Sequence, residues 1–154
     1  MILTELVDAR NAFLKDISKE HYATYLFNQH PPCNILELFA MAHDVTDIRM
    51  APAIYEDYRE SWGDQQDQPP TLPIVQEYTK HLLMIKDDPD LIAAHAYVWH
   101  LSHLQGNETS GKLNTWAKDK DVLINAITNR WQDSMLDEAK IAIDYAMKLM
   151  TGIK

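Results

Sequence analysis

The sequence predicts an all-α protein, and three observations carry that prediction. Apolar residues recur at three- and four-residue steps nearly throughout, beginning with Leu3, Leu6, Val7, Phe13, Leu14 and Ile17. That spacing lines one face of a helix. The chain of 154 residues holds only 4 Gly and 7 Pro, too few for the tight turns of an all-β sandwich or barrel. Hydrophobic residues at 46% and charged residues at 24% are ordinary globular proportions. This length suits one domain, residues 1–154, with a core of its own.

The elements follow in order. The periodicity predicts a first helix over 3–28, ended by His30-Pro31-Pro32 because prolines remove backbone donors. A second helix starts near Cys33 and carries Leu36, Phe39, Ala40 and His43 on one side. Pro52 predicts a kink or break near 50–52, with the helix resuming to about Trp62. The polar stretch from Gly63 to Pro70 reads as the main loop. Thr71 is the expected N-cap of a third helix that reaches about Lys86, with Pro73 at its start. Asp88-Pro89 repeats the signal for a fourth helix over 89–106. This helix is apolar nearly all round, as central helices are. A short helix is expected near 112–118, then a long one over 121–150 with a joint near Ser134–Asp137.

Charge and cysteine content narrow the function classes. With 23 acidic against 14 basic residues the formal charge is −9, which disfavours nucleic acid as a partner. No GxxxxGK[ST] or GxGxxG phosphate loop occurs. The single cysteine, Cys33, excludes a disulfide framework and a CxxC site. With no export segment and no apolar stretch of membrane-spanning length, a cytoplasmic protein without a membrane partner is expected. Cys33 at a helix N-terminus would have a lowered thiol pKa, with His30 as candidate base.

Histidines are the unusual feature. His95, His100 and His103 lie on the fourth helix, and the last two fall about 60° apart at 100° per residue. Buried imidazoles there are candidates for metal or haem binding, for proton relay, or for plain core hydrogen bonding. His21 sits on the apolar line of the first helix, where an imidazole is a candidate axial haem ligand or a satisfied core residue.

Residues 89–108 read PDLIAAHAYVWHLSHLQGNE. This segment resembles the distal helix of haem oxygenases, whose pattern is approximately P-x-L-L-x-A-H-A-Y-x-R-Y-L-G-D-L-S-G-G-Q. The matching positions are Pro89, Leu91, Ala94, His95, Ala96, Tyr97, Leu101, Leu104 and Gly106. The preceding IVQEYTKHLLMIK is similar to the family's Y-V-x-R-L-x-x-I helix, and Glu138-Ala139-Lys140 resembles the E-E-A-K of its closing helix. The likeness covers most of a chain that is shorter than typical members.

The resemblance implies a haem-oxygenase-like multi-helical bundle. It implies haem as cofactor, a reductase as partner, and oxidative opening of haem to biliverdin, iron and carbon monoxide. Haem would lie between the first and fourth helices. Aligning Ser18-Lys19-Glu20-His21 with the family's K-E-x-H makes His21 the implied axial iron ligand. Tyr97, Gly106, Asn107 and Arg130 are the implied haem contacts, and Ser102 and His103 occupy the catalytic positions. The chain departs from the pattern there. Ser102 and Asn107 stand at the first and last distal glycines, and His103 replaces the aspartate that orders water. Ile124 and Thr128 stand where basic residues hold the propionates.

Two alternatives stay open on the same scaffold. One is a non-haem iron oxidase using Glu37, His43, His95, His100 and His103, although Ala96 and His100 interrupt the expected H-x-x-x-D-x-x-H run. The other is a non-catalytic binding or interaction protein, in which these histidines are ordinary buried polar groups. Oligomeric state is not readable from the residues.

Overall fold

The computed structural model describes residues 2–46, 48–105, 111–117 and 119–153. Every regular element among them is helical: α1 (Thr4–Leu14), α2 (Lys19–Ala42), α3 (Ala51–Trp62), α4 (Pro73–Ile85), α5 (Pro89–Ala96), α6 (Ser102–Gln105), α7 (Lys120–Asn129) and α8 (Leu136–Thr151). A π-helical segment, Tyr97–Leu101, joins α5 to α6 in one continuous rod. The all-α prediction stands.

The expected first helix is two helices. Asp16 adopts φ +57°, a left-handed conformation that a short polar side chain tolerates. Ser18 then caps α2 by accepting the His21 N–H at 3.0 Å. The expected stop at Pro31-Pro32 does not occur, because α2 runs through both prolines to Ala42. Each interior proline costs about 3 kcal/mol in lost hydrogen bonding and steric conflict. Burial of Leu26, Pro32, Cys33, Leu36 and Ala40 offsets it, since a large apolar side chain contributes about 1.5–3 kcal/mol. Cys33 therefore lies inside α2, not at an N-terminus. Burial, followed by the charge of Glu37, pushes its thiol well above the ordinary value.

The remaining boundaries follow the sequence more closely. α3 begins beside Pro52, where the break was expected. α4 is preceded by Leu72 rather than capped by Thr71. Asn28 of α2 holds that turn, accepting from Leu72 N at 2.8 Å and donating to Pro70 O at 2.9 Å. Asp88 caps α5, as its position predicts, by accepting from Asp90 N and Leu91 N. The segment expected as a helix near 112–118 is a 3₁₀ turn, Gly111–Asn114. Asp57 of α3 accepts from Lys112 N and Leu113 N of that turn.

α2 and the α5–α6 rod form the middle of the bundle. α2 packs on α3, α4, α5 and α8, and α1 lies across α8 and α6. Ile92, Ala94, Val98 and Leu101 of the rod are completely buried. α7 is attached more thinly, with Leu123 its one buried residue. Among the described residues, no helix is long and apolar enough to cross a membrane.

Candidate functional site

Two carboxylates from different helices reach the central rod, and each meets a histidine there. Glu37 of α2 is completely buried. Its Oε1 accepts from Arg49 Nε at 3.1 Å and Ala51 N at 3.0 Å, and its Oε2 accepts from Met50 N at 2.7 Å. The carboxylate therefore caps α3 from a neighbouring helix, where the free N–H groups and the helix dipole favour negative charge. Burial alone would raise its pKa. The hydrogen bond and charge of His100, together with the two backbone N–H bonds, outweigh burial and hold it below the ordinary value.

His100 supplies the fourth bond to Glu37, from Nε2 to Oε2 at 2.8 Å. A carboxylate only accepts, so this nitrogen carries the proton. The other ring nitrogen, Nδ1, is buried and has no hydrogen-bond partner among the described residues. His100 also lines a cleft of about 160 Å³ together with Thr46, Ile48, Tyr97, Ile127 and Arg130. Arg130 donates from a terminal nitrogen to Asp44 O at 2.8 Å, which ties the end of α7 to the connection after α2. Tyr97 packs on Trp131 with ring centroids 4.5 Å apart.

The second carboxylate is Glu138 of α8. Its Oε1 accepts from His81 Nε2 at 2.5 Å and His95 Nε2 at 2.7 Å. Trp99 Nε1 donates to Tyr78 Oη at 2.7 Å, and Tyr78 Oη lies 2.8 Å from His95 Nδ1. Indole only donates, so the tyrosine hydroxyl passes its own proton to Nδ1, and His95 keeps its proton on the Glu138 side. Burial holds His95 below its ordinary pKa against the pull of Glu138. The hydrogen bond from His95 is the largest influence lowering Glu138.

The residues expected at a haem site separate into three places. Tyr97 and Arg130 share the cleft with His100. Ser102 is completely buried and accepts from Arg10 at 3.1 Å. His103 is also buried, with Nδ1 donating to Trp99 O at 2.7 Å, and burial plus the Arg10 guanidinium hold it well below its ordinary pKa. His21 is exposed in the first turn of α2 and lines a separate depression with Trp62, Leu72 and Ile153. Gly106 and Asn107 lie outside the described residues. His43 is exposed and bonds to Lys86 O at 2.6 Å.

This arrangement does not fit a porphyrin. The expected axial ligand faces solvent away from the cleft, and Ser102 is packed on Arg10 rather than on open space. A volume near 160 Å³ compares with about 150 Å³ for a cavity that admits one benzene ring, whereas drug-sized ligands need about 300 Å³ or more. No step through haem follows from these residues.

Sequence reasoning singled out Glu37, His95 and His100, but not the partners that give them meaning. His81 read only as a neighbour of Lys80, and Tyr78 and Trp99 read as core. A spacing signal exists in part: His95 and Trp99 are four apart on one rod, and Tyr78 and His81 are three apart on α4, so each pair shares a helix face.

Fold and site together define an all-helical protein with two buried carboxylate–imidazole centres, one of them beside a cleft. No family model, no curated protein and no solved structure matches the chain.

Proposed function

We propose that this chain is a haem-oxygenase-like helical protein that binds a small, mainly apolar molecule in the cleft at Tyr97, His100 and Arg130. The observation that carries the reading is the unpartnered Nδ1 of His100 in a residue that lines the cleft. A buried polar atom left unpaired costs about 1–3 kcal/mol. A ligand hydroxyl or N–H donating to it would recover that cost. Glu37 fixes the tautomer, so Nδ1 presents a lone pair, the orientation used by carboxylate-assisted histidines. Arg130 adds a cation on the same wall, which suits an anionic group on the ligand. Leu123 and Ile127 supply the apolar surface. The ligand class is therefore a one-ring molecule with a hydroxyl and an acid group.

Haem is the second reading, favoured by the convergence of Tyr97 and Arg130 at one cleft. It requires α7 to swing outward, and the thin attachment of that helix at Leu123 supports such a movement. A thermal-shift titration separates the readings. Para-hydroxybenzoate is expected to raise the melting temperature, and Arg130→Gln to weaken that response by at least roughly tenfold, about one charge-assisted hydrogen bond. Stabilisation by hemin with a shifted Soret band, and none by the acid, would overturn the small-ligand reading in favour of haem. No response to either would sink both.

A further inference from the structure

We infer that His81, His95 and Glu138 form a binding site for one divalent transition-metal ion of the Zn²⁺, Co²⁺ and Fe²⁺ class. The three side chains come from α4, α5 and α8. One ligand atom from each lies within 4.8 Å of the others. Two imidazole nitrogens and one carboxylate oxygen are the donor set of both His₂Glu zinc sites and the facial triad of non-haem iron.

The geometry is close to what an ion needs. Bonds of 2.0–2.2 Å in a tetrahedral site put ligand atoms about 3.3 Å apart. The observed separations of 2.5 Å and 2.7 Å to Glu138 Oε1 would open by well under 1 Å at each contact. All three groups converge on one point, because both imidazoles address the same oxygen. The site is sheltered but reachable, since the His81 side chain is 14% exposed and that of His95 is 0% exposed.

The surroundings are built as metal sites usually are. A ligating histidine holds its orientation through a hydrogen bond on its other nitrogen. Tyr78 Oη provides that bond to His95, and Trp99 in turn fixes Tyr78. On metal binding the His95 proton moves from Nε2 to Nδ1, and Nδ1–H then donates to a free lone pair of Tyr78 Oη. Nε2 is left to coordinate, and the imidazole stays neutral. Tyr145 stacks on Tyr78 at 4.4 Å and lies 5.6 Å from the His81 ring, closing the apolar side. Three protein ligands leave a fourth position for water or substrate.

The competing account is a purely structural cross-link in which both histidines simply donate to Glu138. Equilibrium dialysis of the full chain against Co²⁺, with visible spectroscopy, decides between them. The expected result is one Co²⁺ per chain, d–d bands of a nitrogen–oxygen site, and a raised melting temperature. Zn²⁺ should displace the colour. His81→Ala and Glu138→Gln are each expected to lose at least about 100-fold in affinity, and Tyr78→Phe roughly 10–100-fold. His81→Ala is half-buried at most and Glu138→Gln keeps its shape, so circular dichroism should stay native in both. Absence of stoichiometric Co²⁺ binding by the folded wild type overturns the proposal. So does undiminished binding in both folded variants, which would place the ion elsewhere.

Discussion

Glu37 and His100 lie 63 residues apart and share a hydrogen bond of 2.8 Å at the centre of the bundle. The same carboxylate caps α3 through Met50 N and Ala51 N. One side chain thus fixes where a helix starts and how a cleft histidine is oriented. Glu37→Ala strands His100, Arg49 and two backbone donors at once. Breaking a buried ionic network from one side costs about 3–5 kcal/mol. Urea unfolding should show that loss, with Glu37→Gln losing less because it still accepts on one oxygen. A change below 1 kcal/mol for Glu37→Ala would contradict the assignment.

Acid should weaken the fold in two stages. His103 has a folded pKa well below its ordinary 6.5. Between those values the unfolded chain binds more protons, so the stabilisation is complete above 6.5 and is lost as pH falls. Glu37 has a folded pKa below its ordinary 4.5. Its contribution is present above 4.5 and is lost as pH drops through the folded value. Urea midpoints measured from pH 8 to 3 should begin to fall near 6.5 and fall more steeply below 4.5. His103→Gln should flatten the first stage, and a wild-type midpoint constant down to pH 5 would refute it.

Arg10 is 2% exposed and gives one hydrogen bond to Ser102, while its Nε and one terminal nitrogen find no hydrogen-bond partner among the described residues. A buried cation in that state lowers stability. Arg10→Met keeps the length and removes the charge. It is expected to raise stability by about 1–4 kcal/mol, read as a higher melting temperature. Destabilisation would show that the guanidinium is better satisfied than its contacts indicate.

Gly111 has φ +62°, and a Cβ there would overlap the Asp57 carboxylate. Gly111→Ala therefore meets both backbone strain and the group that binds Lys112 N and Leu113 N. The expected cost exceeds about 1 kcal/mol. Asp57→Asn in the same background should recover little of it, because the overlap is steric.

Helix existence was legible because the apolar period is local information. Chain breaks were not, where a distant residue decided them. Asn28 sets the start of α4 from 44 residues away, and core packing carries α2 through Pro31-Pro32. The site divides in the same way. Glu37, His95 and His100 are visible as unusual residues on apolar faces, but the pairing of His81 with Glu138 spans 57 residues and leaves no local pattern. The family resemblance gathered Tyr97 and Arg130, which do share a cleft, with His21, which the break at Asp16 turns to the surface.

The π-helical segment at Tyr97–Leu101 has a consequence for how this chain tolerates change. It works as a phase adjuster between two halves of one rod. His95 before it serves the Glu138 centre, whereas Ser102 and His103 beyond it serve the contact with α1. Removing a single residue from the segment would restore ordinary winding and turn everything after it by about 100°. Ser102 would swing away from Arg10, while the Tyr78–His95–Glu138 chain upstream would keep its register. A one-residue deletion here would act as a rotation of half a helix, leaving one polar centre intact and dismantling the other contact.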